Sequence, residues 1–424
     1  MIANRKVVII GGGFGGLEAA LGLKRAPVEV TLIDKTNHHL FQPLLYQVAS
    51  AALSPGDIAT PIRHIVRHQK NTVVMMADVT RIDKERKHVH LANGSAIYYD
   101  YLIVAVGASH SYFGHPEWEK FAPGLKTLPD ALTIRERLLI SYEKAERSDN
   151  LLEAEQYLDF VVIGGGPTGV EMAGAIAEVA HQTMIRDFRR INVHKTRIFL
   201  IEAMSQLLAV YPLGLAERAR RDLERMGVEV LLNHMVTNIN EEGVHLGSRI
   251  IHTKNIIWAA GNQASPLLKT LDVALDRQGR VIVESDCSVP SHEEIFIIGD
   301  AAHLEIDGKI LPGIAPTAIQ QGRYVEDLIA KSIPKEKRTP FRYFDKGMMA
   351  TIGKNKAVAM SGRLRISGFI AWLAWGFIHI AYLVHHRNKL VVMISWLFQY
   401  CTGTRGARLI NHPLDDESPE GVEK

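Results

Sequence analysis

Two short apolar runs, residues 7–10 (VVII) and 160–163 (FVVI), each stop at a cluster of glycines and give way to a helical pattern. An apolar run without polar alternation predicts a parallel strand buried on both faces. In the first unit Gly11, Gly13 and Gly16 complete G-x-G-x-x-G, about two turns of helix follow, and residues 28–33 (VEVTLI) predict a second strand ending at Asp34. The pattern then returns. Gly164, Gly166 and Gly169 form a second G-x-G-x-x-G, with Pro167 suited to a first helical turn. The helix is expected over residues 170–180, extending to about Arg190, before a strand at residues 197–201 with Glu202 at its end.

Between these units the pattern is less regular. Phe41, Pro43, Leu44, Leu45 and Tyr46 have neither helical nor strand period, which predicts a loop leading into a short helix that packs or walls a flat ring system. Residues 72–83 and 88–91 read as strands, and Asn93-Gly94 as a hairpin turn in an antiparallel insert. Residues 100–107 (DYLIVAVG) and 255–261 (NIIWAAG) are strands ending in small residues, where a cofactor can approach the backbone. Residues 128–147 read as a helix, and residues 295–298 as a strand before Gly299-Asp300. Asp300 stands either at a ligand-binding strand end or as a helix N-cap. A helix through Ala330 follows, with Gln320 and Gln321 either on the surface or donating to a carbonyl ligand.

The physical reason for three glycines at this spacing is a tight turn, a close backbone approach to a pyrophosphate, and close helix packing. Phosphates then meet free N–H groups at the positive helix end. Asp34 and Glu202 are placed to accept ribose hydroxyls. A carboxylate there repels a 2′-phosphate, which favours NADH over NADPH at Glu202. Two such units in one chain are an internal repeat, and bringing two dinucleotides together serves hydride transfer.

Composition narrows the class. The 424 residues suit two or three domains, with 47% apolar and 22% charged residues, and the net charge of +3 argues against a nucleic-acid partner. Cys287 and Cys401 are the only cysteines, which excludes a C-x-x-C redox pair and an all-cysteine metal centre; no metal site is expected. MIANRK precedes the first strand without an apolar segment, so no signal peptide is expected and the glycine-rich domain should stay cytoplasmic.

With both glycine turns, Gly299-Asp300 and LFQPLLYQVA in hand, the chain resembles the type II (alternative) NADH dehydrogenases, single-subunit NADH:quinone oxidoreductases among the two-dinucleotide-binding-domain flavoproteins. The resemblance covers residues 6 to 410. It implies an α/β fold of two Rossmann-like dinucleotide-binding domains, the first discontinuous, plus a C-terminal membrane-anchoring helical region. The expected segments are 1–150 and 271–335 for FAD, 151–270 for NADH, and 336–424 for the anchor. By that resemblance Gly11, Gly13, Phe14, Gly15, Gly16, Asp34, Lys35, Pro43, Gly107, Asp300 and Gln320 hold FAD. Gly164, Gly166, Pro167, Thr168, Gly169, Glu171, Glu202 and Gly261 hold NADH. Glu171 matches an acid the family places near the reacting rings; its plainer reading is a helix acid complementing the dipole. Residues 315–320 resemble the quinone-site pattern A-Q-x-A-x-Q, but Pro316 replaces the first glutamine, which leaves Gln320 as the quinone or flavin contact.

Residues 366–384 carry no formal charge, and a second apolar run covers 390–401, with cations between and around them and Trp372, Trp375 and Trp396 within. A bitopic anchor, a buried core helix and two helices lying in the headgroup plane all fit the pattern. The family's monotopic anchoring implies the last, on the cytoplasmic face of the inner membrane, opening a path for a membrane quinone and leaving a homodimer open. The acidic tail, residues 414–424, reads as disordered. The implied activity is hydride transfer from NADH to FAD, then two electrons to quinone, without proton pumping. A reductase of a protein acceptor and a membrane-bound NADH/FAD redox sensor are the alternatives.

Overall fold

The computed structural model describes residues 4–410, and the acidic tail lies outside them. The chain divides into two compact units: Met1–Leu40, Ala59–Ser109 and Asn262–Lys346 make the first, and Phe41–Ile58, His110–Gly261 and Gly347–Lys424 the second. These differ from the expected segments. The helix Leu128–Arg147, started by a capping box of Thr127 and Asp130, packs with the second unit, as does the apolar segment Phe41–Ile58.

The first unit is built on a six-stranded sheet in the order Ser288–Val289, His292–Ile297, Tyr101–Val104, Arg5–Ile10, Val28–Asp34, Thr72–Met76, parallel except for the outer hairpin. Its central strand is the first apolar run, and Val7, Val8 and Ile9 are buried on both faces. The helix Phe14–Gly22 lies against the helix Ala315–Ala330 so closely that a Cβ on Gly322 would stand 2.5 Å from the Gly15 carbonyl oxygen. The expected strand over 72–83 is two strands. Thr72–Met76 closes its parallel ladder when the Ala77 N–H donates to Asp34 O at 2.9 Å. Val79–Asp83 then pairs antiparallel with His88–Leu91, which turns through Asn93-Gly94 into Ala96–Tyr98 as expected.

The second unit repeats the plan with four parallel strands in the order Val228–Leu231, Arg197–Ile201, Asp159–Ile163, Asn255–Trp258. The helix after its glycine turn spans Pro167–Glu178, ends in a π turn at Val179–Thr183, and does not reach Arg190. The reason is non-local: the Glu146 carboxylate accepts the backbone N–H groups of Arg189, Arg190 and Ile191 at 2.9–3.0 Å, which removes them from a helical ladder.

A three-stranded antiparallel sheet, Met348–Gly353, Lys356–Ser361 and Leu364–Ser367, leads to two helices, Phe369–Tyr382 and His386–Thr402. The uncharged run 366–384 is therefore divided, because Ile366 and Ser367 belong to a strand and Gly368 turns the chain at φ +74°. No helix among the described residues is long and apolar enough to cross a membrane. Nor is Phe369–Tyr382 a core helix, since Ala371 and Trp375 are its buried residues while Phe369, Ile370, Leu373 and Phe377 are more than half exposed.

Candidate functional site

Both glycine turns have the same anatomy. Gly11 (φ +100°) and Gly164 (φ +111°) take the left-handed conformation that glycine tolerates, and each backs onto the neighbouring strand end at Ala105 and Ala259. A Cβ on Gly16 would stand 1.9 Å from Gly11 O, and one on Gly169 would stand 1.8 Å from Gly164 O. The third glycine is thus required chiefly by the turn's own carbonyl. Gly13 and Gly166, the N-caps of the two helices, face open space, with nothing within 4 Å of a built Cβ and no side chain capping the helix. Uncapped N–H groups behind an open cradle suit an anion. Gly169→Ala is expected to abolish dinucleotide docking on the second unit, by more than about a hundredfold, while binding to the first is unchanged; equilibrium titration with each nucleotide checks it.

The two acids stand where the spacing places them, and each also braces its turn. Asp34 accepts from Gly12 N–H at 2.6 Å and from Thr36 N–H and Oγ1 at 2.7 Å. Glu202 accepts from Gly165 N–H at 2.6 Å and from Met204 N–H at 2.8 Å. Around them Phe14 is half-buried, Lys35 and Thr168 are exposed, and Pro167 is exposed at the first helical position. Pro43 sits in the short turn Gln42–Leu44, within the second unit. Gly107 (φ +66°) has an open Cβ side, whereas that side of Gly261 (φ +71°) is filled by Phe113 and Ser111 O, so these two strand ends are not equivalent.

Asp300 caps no helix, because Ile298 and Ile314 are the caps on either side. It lies instead in an open cleft of about 210 Å³ in the first unit, with Gly299, Gly313, Thr317 and Arg280. The glutamines also hold backbone groups. Gln321 is buried and accepts the Gly299 N–H at 2.7 Å, which fixes the turn that carries Asp300. Gln320 donates to Phe344 O at 3.0 Å and accepts Phe344 N–H at 2.9 Å, so both ends of its amide clamp a backbone.

Glu171 is not a first-turn acid, so the dipole reading fails. Its carboxyl accepts the Thr351 N–H, and burial pushes it up to about 8. Gly174, one turn on, makes this contact: a Cβ there would stand 1.7 Å from Ile352 O, so only glycine lets the strand Met348–Gly353 lie on the helix. Tyr46 and Tyr211 feel the Glu171 charge, and burial drives both phenols up. The Trp396 indole donates to Gln47 Oε1 at 2.7 Å and Gln47 Nε2 donates to the Tyr46 hydroxyl at 2.9 Å. An indole only donates, so it fixes the amide orientation and leaves the Tyr46 proton directed away from Gln47. Arg405, buried, donates to Ser50 O at 2.7 Å and to Glu178 at 2.8 Å.

Thr351, Gly174 and Gln47 were not singled out from the sequence, and Trp396 and Arg405 were read only as an interfacial indole and a cation flanking the apolar runs. A glycine inside a helical pattern was the one available signal, at Gly174.

The model of the pyridine nucleotide-disulphide oxidoreductase family matches residues 5–322. The type II NADH:quinone oxidoreductase NdhA of Mycobacterium tuberculosis is 45% identical over 97% of this chain and 90% of its own length. A second from that organism, Ndh, is 44% identical over 95% of this chain and 89% of its own. The solved structure of NDH2 from Plasmodium falciparum in complex with NADH is 20% identical and has a TM-score of 0.86, covering 95% of this chain and 99% of that one. At that identity the likeness is one of fold.

Proposed function

The chain belongs to the pyridine nucleotide-disulphide oxidoreductase family and, within it, to the type II NADH:quinone oxidoreductases, and from that premise we propose that its first unit holds FAD, its second docks NADH, and its C-terminal helices rest on a membrane surface. It transfers electrons from NADH to a quinone without proton pumping. Disulphide chemistry, which the wider family name carries, has no counterpart: Cys287 is buried with its thiol pushed far up, and Cys401 is a free surface thiol.

The observation that carries the reading is the duplicated cradle. Gly13 and Gly166 leave open ground in front of uncapped helix ends, and Asp34 and Glu202 stand beside them with acceptor oxygens for ribose. The first cradle, with Asp300 at the cleft of the same unit, fits FAD. When bound, FAD supplies a ring that takes up a hydride and gives back two electrons. The chain's own residues bind and orient. Backbone amides at the two turns take the diphosphates, and Glu202 selects the free 2′-hydroxyl of NADH. Glu171 holds a proton at neutral pH and is the group we assign to proton supply for quinol formation.

The membrane surface is supported by the exposed apolar faces of Phe369–Tyr382 and His386–Thr402, where Phe377, Leu397 and Phe398 are among the residues more than half exposed. Arg363, Arg365, Arg387 and Lys389 flank these faces. Apolar side chains in the headgroup region with cations toward anionic lipid is the arrangement such helices favour. Co-sedimentation with anionic vesicles, weakened by salt, is the expected result.

The cofactor reading is tested by Glu202→Gln. Steady-state quinone reduction should lose about tenfold or more in kcat/KM with NADH and much less with NADPH, so that the preference narrows. An unchanged ratio removes Glu202 from selectivity.

A further inference from the structure

In each glycine turn the middle residue has both sides of its backbone held. Gly12 N–H donates to Asp34, and Gly165 N–H donates to Glu202, at 2.6 Å in both cases. The carbonyls are held differently. Gly165 O accepts the backbone N–H of Leu208 at 2.8 Å. Gly12 O accepts instead from a side chain, the His39 ring, at 2.9 Å from Nδ1. A carbonyl only accepts, so Nδ1 carries the proton. His39 is 3% exposed, packs edge-on against Phe14 with ring centroids 5.1 Å apart, and its Nε2 is buried without a hydrogen-bond partner. Burial also pushes its basicity down, so the ring is neutral and Nε2 is bare at neutral pH.

A buried imidazole that leaves one nitrogen unsatisfied has a cost, and leucine or phenylalanine would fill the volume without it. What the histidine adds is the bond to Gly12 O. That carbonyl and the Gly13 N–H share one trans peptide, in which they point to opposite sides. Holding the carbonyl on His39 therefore fixes the direction of the Gly13 N–H, at the glycine whose Cβ side is open. In the second unit a backbone amide does this work, beyond the reach of side-chain substitution.

We propose that His39 is a positioning residue for the FAD diphosphate: its Nδ1–H locks the Gly12–Gly13 peptide in the orientation that presents the Gly13 amide to a phosphate oxygen. The proposal rests on the reading that the first unit holds FAD.

The test is flavin release from the purified holoenzyme, followed by the rise of free-flavin fluorescence on dilution. His39→Leu leaves a buried carbonyl unpaired and should raise the FAD dissociation constant about ten- to a hundredfold. His39→Asn, whose side-chain amide offers a donor near the Nδ1 position, should return it to within about threefold, and NADH affinity at the second unit should be unchanged in both. A tightly bound flavin in a folded His39→Leu protein overturns the proposal, as does a loss of equal size in His39→Asn. Independently of any variant, ¹H–¹⁵N NMR of the wild-type ring must show the Nδ1–H tautomer; the Nε2–H tautomer overturns it. Gly13→Val separates the two levels of the claim. If it expels FAD while His39→Leu does not, His39 alone is excluded; if it leaves FAD bound, the first unit is not the flavin unit and both fall.

Discussion

Glu171→Gln is expected to slow quinone reduction by about a hundredfold while the NADH half-reaction stays within about threefold. Glutamine keeps the volume and the acceptor for the Thr351 N–H, so the difference is the proton. With its carboxyl pushed up to about 8 by burial, Glu171 is protonated through the neutral range and loses its proton as pH rises through that value. The wild-type rate of quinone reduction should therefore fall above about pH 8, and the variant's lower rate should be flat there. Stability runs the other way for the variant. A carboxyl raised from its ordinary value binds its proton more tightly in the folded state, so its favourable contribution is complete at pH below that ordinary value and is lost as pH rises to about 8. Glutamine removes this slope, and thermal unfolding of Glu171→Gln should vary less between pH 5 and 8 than that of the wild type. Rates and pH profile that match the wild type would take Glu171 out of the mechanism.

Arg405→Leu should be strongly destabilising. Arg405 is buried, follows the last helix, and holds Ser50 O at the end of the short helix Leu45–Ala49 and the Glu178 carboxylate at the end of Pro167–Glu178. Glu178 in turn accepts the Lys354 N–H at 2.5 Å, in the turn between two C-terminal strands. Removing the guanidinium leaves the Ser50 carbonyl and the partly exposed Glu178 carboxylate without it, a loss of about 2–3 kcal/mol. Thermal melting of the holoenzyme should show a marked drop in midpoint. The double replacement Arg405→Leu with Glu178→Gln should recover part of it, because no charge is left unpaired. A single-variant midpoint close to wild type would show that this pair is not what secures the C-terminal segment.

How much of this was legible in the chain depended on how local each cause was. The glycine turns were legible because steric closure is written into one short stretch: nothing but glycine fits 1.9 Å from Gly11 O at position 16, or 1.8 Å from Gly164 O at position 169. The positions of Asp34 and Glu202 followed from strand length. That each also braces its own turn did not. The helix expected to run to Arg190 stops early because Glu146, more than 40 residues back, captures the backbone amides of Arg189 and Arg190, which no local propensity encodes. Gln320 and Gln321 read as ligand donors or surface residues; that each also holds a backbone group depends on segments distant in sequence. The Trp396–Gln47–Tyr46 chain joins residues some 350 positions apart and left no trace in either segment alone. Glu171 was found through a family resemblance, and its raised basicity came from packing that one unobtrusive residue, Gly174, permits.

The central claim is that electrons pass from NADH to a quinone by way of a flavin held in the first unit. Stopped-flow absorbance of the detergent-purified protein tests it most directly. Mixing with NADH in the absence of oxygen should bleach the flavin bands, and a second mixing with a short-chain quinone should restore them, with one quinone reduced per NADH consumed. Bleaching without recovery would leave the nicotinamide half standing and contradict the quinone as acceptor. Turnover with no change in flavin absorbance would contradict the relay itself.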